Sequence, residues 1–147
     1  MRLIFTKRGG KYDDLVIERE GQDPEKISCP KQGIIPHDMV HYAVESMLAH
    51  SGFLSLVAQG QSAGFTTAGG EAEEAVERLV ENFQAEMWGG RVAAAELIGS
   101  YEHACGARGH PAAPVSVADV ENIRARLDDL TARWAAVPLN ASLTLEL

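Results

Sequence analysis

Two histidines one helical turn apart, His37 and His41, are the residues whose type and spacing best suit chemistry in this sequence. Residues four positions apart lie on the same face of an α-helix, so both imidazoles can reach one ion. Imidazole nitrogen is a preferred ligand of Zn²⁺ and of several other divalent metals. The spacing therefore predicts a candidate divalent-metal site held by these two histidines.

A helix must begin just before the two histidines to give them this spacing. Pro36 fixes its own φ and lacks an N–H, which suits the first helical position, and Asp38 in the first turn complements the helix dipole. An apolar stripe follows at helical spacing: Val40, Ala43, Val44, Met47 and Leu48. The histidines and Glu45 run along the border of that stripe, where a side chain can be half buried and still reach a cleft. We expect the helix to reach about residue 50 and to end near Gly52.

The segment from His37 to His41 reads His-Asp-x-x-His and resembles the His-Glu-x-x-His signature of zinc metallopeptidases. The resemblance covers five of the 147 residues. It implies that the histidines ligate zinc and that Asp38 activates a metal-bound water. The chain departs from the signature in two ways: aspartate is one methylene shorter than glutamate, and Pro36 stands just before the first histidine, where the helix of the peptidases continues unbroken. The stretch 36–45 also resembles a motif of small uncharacterised bacterial proteins, which implies no activity.

Glu86 is the candidate third ligand. Residues 71–88 form the clearest helix of the sequence, with acidic residues in the first turn and an apolar stripe behind them. Glu86 falls within that stripe, and a buried carboxylate is costly unless it is paired or ligates a metal. Two interpretations stay open. In the first, Glu86 packs beside the histidines, where it completes a set of two histidines and one carboxylate with an open position for water or, without metal, hydrogen-bonds a histidine. In the second, its carboxylate reaches solvent at the helix end.

Other groups of polar residues fit a site less well. His103 and Cys105 lie on different faces of one helix, and His110 follows in a loop rich in glycine and proline, so a solvated helix end is the preferred interpretation. The segment 60–70 is rich in small residues but lacks the Gly-Lys-Ser/Thr end of a nucleotide loop, and four carboxylates follow it. We interpret it as a flexible loop.

Length and composition indicate one acidic globular domain covering residues 1–147. The net charge of −8 argues against a nucleic-acid partner, because such proteins carry basic patches. No apolar run approaches the roughly 18 residues that a membrane span requires, and none near the N-terminus suits a secretory signal. Cys29 and Cys105 are too few for a disulfide framework. We expect a cytoplasmic protein without nucleic-acid or membrane partners, whose ligand, protein partners and oligomeric state stay open.

Short strands precede the helical part of the chain. Residues 2–6 and 14–20 predict two strands around a glycine-containing turn, and residues 26–29 predict a short third strand. The apolar run 15–17 is continuous, so we expect the second strand to be covered on both faces. Residues 142–147 alternate leucine with polar residues, which is typical of a half-buried strand. Because a lone exposed strand of this kind would promote aggregation, it should pair with the N-terminal meander.

Helical periodicity fills most of the remaining chain. The predicted helices are a short one at 53–59 and longer ones at 71–88, 91–105 and 117–137. Ser116 and Asp119 resemble a capping box for the last helix, and its charged residues, including Arg124, lie away from the apolar stripe as on a solvated face. Strands followed by helices favour segregation over βαβ winding. The predicted fold is α+β, with a small antiparallel sheet packed against four to five helices.

Two classes of function remain open. The first is a small protein that binds zinc or another divalent metal through His37, His41 and Glu86; in a hydrolytic version, Asp38 orients or activates the water. The second is a non-catalytic interaction or regulatory domain without metal, in which the histidine helix only contributes to the core. No Gly-x-Ser-x-Gly frame supports a serine nucleophile.

Overall fold

The computed structural model describes residues 1–31, 33–48, 53–60 and 70–147. Within these ranges it contains a four-stranded antiparallel sheet and five helices, which confirms the α+β prediction. In chain order the elements are β1 (Arg2–Thr6), β2 (Tyr12–Glu18), β3 (Glu25–Pro30), α1 (His37–Met47), α2 (Phe53–Ala58), α3 (Glu71–Gly89), α4 (Ala94–Ala107), α5 (Val117–Ala135) and β4 (Ser142–Glu146).

The strands follow the order β3-β2-β1-β4, so the C-terminal strand pairs with the first strand of the chain. Leu3 in β1 lies opposite Ile17 in β2 and Leu145 in β4. All three side chains are buried on the same face, because residues in register on neighbouring antiparallel strands point the same way. The predicted return of the C-terminus to the N-terminal meander is confirmed.

The sheet is covered on one face. Burial alternates along β2, where Leu15 and Ile17 are buried and Val16 between them is half exposed. The expectation that β2 would be covered on both faces is therefore wrong. A continuous apolar run of three residues is compatible with a one-sided sheet, since a single aliphatic side chain on the outer face costs little.

The helices form a layer on the buried face of the sheet. Helix α1 packs against α2, α3 and α5, and α4 packs against α3 and α5. Trp134 of α5 meets Phe5 of β1 edge to face, with 6.5 Å between ring centroids. Helix α1 is therefore surrounded by other helices, and the residues on its border lie in the interface with α3. None of the described helices combines the length and apolar character needed to cross a bilayer.

Local signals determine most of the helix ends. Ser116 and Asp119 form the predicted capping box at the start of α5. Pro36 is the N-cap of α1, so the helix begins at His37, one residue later than predicted. Helix α4 begins three residues later than predicted, because Gly90 adopts a φ of 100° and the guanidinium of Arg91 reaches across to Asp128. Helix α1 ends at Met47 with Leu48 as its C-cap, earlier than the expected end near residue 50. Gly52 and residues 61–69 of the loop expected at 60–70 lie outside the described residues.

Candidate metal centre

Three side chains meet at the interface between α1 and α3. His37 and His41 project from α1, with their Nε2 atoms 3.2 Å apart and their rings nearly perpendicular. Glu77 of α3 faces both, with Oε2 3.1 Å from Nε2 of His41 and Oε1 3.7 Å from Nε2 of His37. One candidate ligand atom from each residue lies within 4.8 Å of the other two. The prediction that both histidines face one site is confirmed.

The packing of two amphipathic helices produces this meeting point. In α3 the apolar side chains of Val76, Leu79 and Val80 turn into the core, and Glu77 lies at the border of that stripe. In α1 the two histidines occupy the matching border beside Val40 and Val44. Because α1 and α3 pack against each other, the two borders come together. Polar side chains on both helices thus share one partly enclosed space.

Each histidine has a second partner on its other ring nitrogen. Nδ1 of His41 lies 3.1 Å from Oε2 of Glu45, and Nδ1 of His37 lies 2.9 Å from Oε1 of Gln84. Both partner atoms are oxygen acceptors, so both Nδ1 atoms donate. The Nε2 atoms of the neutral rings then carry lone pairs, and both lone pairs point into the space shared with Glu77.

Two imidazole nitrogens and a carboxylate that meet in one space are stabilised by a positive charge, which a proton or a metal ion can supply. Without metal, a proton supplies that charge. Burial opposes the charged form of His41, but hydrogen bonds to Glu45 and Glu77 outweigh it and raise its pKa to about 9. Burial likewise opposes the charged form of Glu77, but hydrogen bonds from His37 and His41 hold the pKa of this carboxyl well below its usual range. A metal ion that enters would therefore meet a carboxylate and two histidines, of which His41 must first release its proton.

The spacing of these atoms suits a tetrahedral metal ion. Two ligand atoms held about 2.0–2.1 Å from zinc at a tetrahedral angle are separated by about 3.3 Å. The two Nε2 atoms are 3.2 Å apart, Oε2 of Glu77 is 3.1 Å from Nε2 of His41, and the other carboxylate oxygen, Oε1, is 3.7 Å from Nε2 of His37. One ligand atom from each residue lies within 4.8 Å of the other two, so small side-chain rotations would bring all three within reach of one zinc-sized ion. The donor set, two imidazoles and one carboxylate, is one that zinc and other divalent metals accept.

One side of the cluster is open to solvent. The side chains of His37 and Glu77 are 32% and 33% exposed, whereas those of His41 and Glu45 are 3% and 0% exposed. His41 and Glu45 thus form the buried side of the cluster, and His37 and Glu77 form the side that faces solvent. A bound ion would keep at least one coordination position facing water, which is typical of catalytic rather than structural zinc sites.

Glu86, the predicted third ligand, lies elsewhere. Its carboxylate is buried, and its two oxygens accept hydrogen bonds of 2.9 and 2.8 Å from Nε and Nη2 of Arg124. An ion pair between α3 and α5 therefore compensates the cost of burying the Glu86 carboxylate at an apolar position of the helix. Neither the ligand interpretation nor the solvent-reaching interpretation describes this placement. Arg124, predicted on a solvated face, is buried instead.

Asp38, the predicted water-activating residue, is in the first turn of α1 but outside the three-residue cluster. Its Oδ2 lies 3.6 Å from the thiol of Cys29 at the end of β3, within reach of a weak S–H hydrogen bond. Burial and the neighbouring carboxylate of Asp38 strongly raise the pKa of Cys29, so this thiol stays protonated. Adjacent helical residues differ by about 100° in direction, which is why Asp38 and His37 point to different neighbours.

Glu77, Glu45 and Gln84 were not predicted as functional residues. Glu45 was placed on the histidine border, and its contact with His41 follows from i, i+4 spacing within one helix. Glu77 was considered only as one of the four carboxylates that follow the segment 60–70. Within that helix it is seven residues before Gln84, so the two side chains share a face two turns apart and both contact His37.

The residues near the end of α4 do not gather into a second cluster within the described part of the chain. Cys105 is fully buried, His103 is exposed, and Nδ1 of His110 lies 3.3 Å from the carbonyl of Pro111. Helical geometry separates His103 from Cys105, as the sequence predicted.

No known family, curated protein or solved structure matches the chain.

Proposed function

We propose that this protein binds a divalent metal ion, zinc being the best geometric fit, through His37, His41 and Glu77. The supporting observation is the convergence of two imidazole Nε2 atoms and one carboxylate at separations of 3.1 to 3.7 Å. The partners on Nδ1 support it further, because a ligand histidine usually donates a hydrogen bond from the N–H of its second ring nitrogen to an oxygen acceptor. The set keeps the predicted two histidines and replaces Glu86 with Glu77.

A metal ion in this position would be suited to activating a water molecule. Three protein ligands leave a fourth position, and the exposed edges of His37 and Glu77 give that position access to solvent. An ion held in this way lowers the pKa of bound water and polarises an oxygen of a substrate. Hydrolysis is therefore the reaction class that we propose for the centre. Asp38 is not assigned a part in it, since its carboxylate faces Cys29.

The alternative is a non-catalytic domain in which the cluster is a proton-bridged network. The raised pKa of His41, about 9, favours this alternative, because at neutral pH the imidazolium already compensates Glu45 and Glu77. In that case α1 and α3 are joined by charge-assisted hydrogen bonds and the protein has no metal-dependent activity. The two proposals differ in whether a metal ion displaces the proton.

Metal titration separates the two proposals. Untagged full-length protein is titrated with Zn²⁺ and Co²⁺ at pH 7.5, by calorimetry and by the visible absorption of Co²⁺. We expect one ion per chain and a tetrahedral cobalt spectrum. Glu77→Gln should weaken binding about 100-fold, since Glu77 is the only charged ligand of the three. His41→Ala should abolish it.

Glu71→Gln is the matched control, because Glu71 lies exposed in the first turn of the same helix and its loss changes the net charge equally. This variant should bind metal like the wild type. Failure of the wild-type chain to bind either ion with a Kd below 100 μM would overturn the metal proposal and favour the proton-bridged network. Equal weakening by Glu71→Gln and Glu77→Gln would show that binding is merely electrostatic.

A further inference from the structure

We propose that Glu45 is the positioning residue of the metal centre and that it ties metal binding to the docking of α2. This inference rests on the proposed metal site. Glu45 makes none of the three contacts expected with the ion. Its effect passes through His41, whose ring it holds, and through the backbone of α2, which it also contacts.

Glu45 is a completely enclosed carboxylate with two described hydrogen-bond donors. Oε2 accepts from Nδ1 of His41 and from the backbone N–H of Leu54, each at 3.1 Å. Its side chain is 0% exposed. Enclosing a carboxylate is costly unless charged or polar donors compensate it, so the surrounding fold must hold both donors in place. Such a residue is poorly suited to be a metal ligand itself, but it can hold the ring of a ligand histidine in one orientation.

The contact with Glu45 selects which nitrogen of His41 faces the ion. Because a carboxylate only accepts, Nδ1 must carry hydrogen, and Nε2 is left to bind metal. The negative partner also increases the electron density on the ring and makes Nε2 a stronger ligand. On His37, the acceptor of the Nδ1 hydrogen bond is the neutral side-chain amide of Gln84, through its Oε1 atom. The structure thus assigns His41 as the stronger ligand and His37 as the weaker one on the exposed side.

The second contact of Glu45 extends the network beyond the site. Leu54 belongs to α2, and its side chain and that of Val57 are enclosed in the core. The N–H that Leu54 donates to Glu45 is among those near a helix start that lack an intrahelical acceptor. A metal ion that immobilises His41 also restrains Glu45, and therefore slows opening of this N–H. By linkage, loosening α2 must weaken metal binding to the same degree.

The test uses the full untagged chain, uniformly labelled with ¹⁵N and titrated with Zn²⁺. In the wild type, NMR should show hydrogen on Nδ1 of zinc-bound His41 and metal on Nε2. The exchange of the Leu54 amide should slow when zinc is added. Glu45→Gln keeps the shape of the side chain but removes its charge, and should weaken zinc binding about 10- to 100-fold. Glu45→Ala should weaken it at least as much.

Val44→Ala is the control, because it truncates a buried apolar side chain of the same helix and removes neither the Glu45 carboxylate, nor its two donors, nor a proposed ligand. It should lower stability yet leave zinc affinity within about twofold. Coordination of zinc through Nδ1 of His41 in the wild-type chain would overturn the proposal even if the Glu45 variants fail to fold. Wild-type affinity in folded Glu45→Gln would also overturn it and leave the metal site intact. A wild-type chain that binds no zinc would remove both proposals together.

Discussion

Replacing Glu86 with alanine tests the buried ion pair that joins α3 to α5. Glu86 and Arg124 are 8% and 7% exposed, and two hydrogen bonds of 2.9 and 2.8 Å connect them. After the substitution the guanidinium stays buried, with the carbonyl of Val92 and the exposed carboxylate of Glu121 as its remaining described acceptors. An uncompensated buried charge of this kind costs about 3–5 kcal/mol.

We expect a loss near the lower end of that range, about 3 kcal/mol, because the Val92 carbonyl still accepts from Arg124. For a chain of this length the corresponding fall in Tm is about 10 °C. Urea unfolding followed by circular dichroism and by tryptophan fluorescence measures the free energy of unfolding. Coincidence of the two transitions and an unchanged m-value would show that the comparison is valid.

Two controls isolate the ion pair. The double variant Glu86→Leu with Arg124→Met removes both charges and should unfold with nearly wild-type free energy, because apolar replacements of a buried pair are often neutral. Glu121→Ala removes the exposed partner of Arg124 and should cost less than about 1 kcal/mol. A loss below 1 kcal/mol for Glu86→Ala would refute the reasoning. Weakened zinc binding equal to that of Glu77→Gln would instead restore Glu86 as a ligand.

The remaining predictions concern pH and the last strand. Zinc must displace the proton of His41, whose pKa is raised to about 9. Zinc affinity should therefore rise up to about tenfold per pH unit from pH 6.5 to 8.5. Calorimetry in buffers of different ionisation enthalpy should detect the released proton. In metal-free protein the same interaction should stabilise the fold by about 3 kcal/mol below pH 6.5, and this contribution should disappear as the pH rises through about 9; a pH-independent free energy of unfolding would contradict it. Deleting residues 142–147 removes the buried Leu145 and uncovers the edge of β1, so Tm and solubility should fall, whereas the outward-facing substitution Thr144→Ala should change neither.

The sequence by itself was sufficient to predict the strands, most of the helices and the orientation of His37 and His41 toward one site. Period-2 and period-3.6 apolar patterns predicted the strands and most helices, and the alternating leucines before Leu147 predicted that β4 pairs with the meander. His37 and His41 face one site because four residues along one helix return to the same side, which is a local property. The capping box at Ser116 is equally local.

Only the tertiary structure decided which carboxylate joins the histidines. Glu77 and Glu86 lie on the same helix nine residues apart, and nine helical residues turn through two and a half turns, so they face opposite sides. Helical periodicity alone does not say which side of α3 meets α1 and which meets α5. That is determined by the packing of three helices on the sheet, which turns Glu77 toward His41 and Glu86 toward Arg124. Long-range packing, unlike helical spacing, depends on residues distant in the chain.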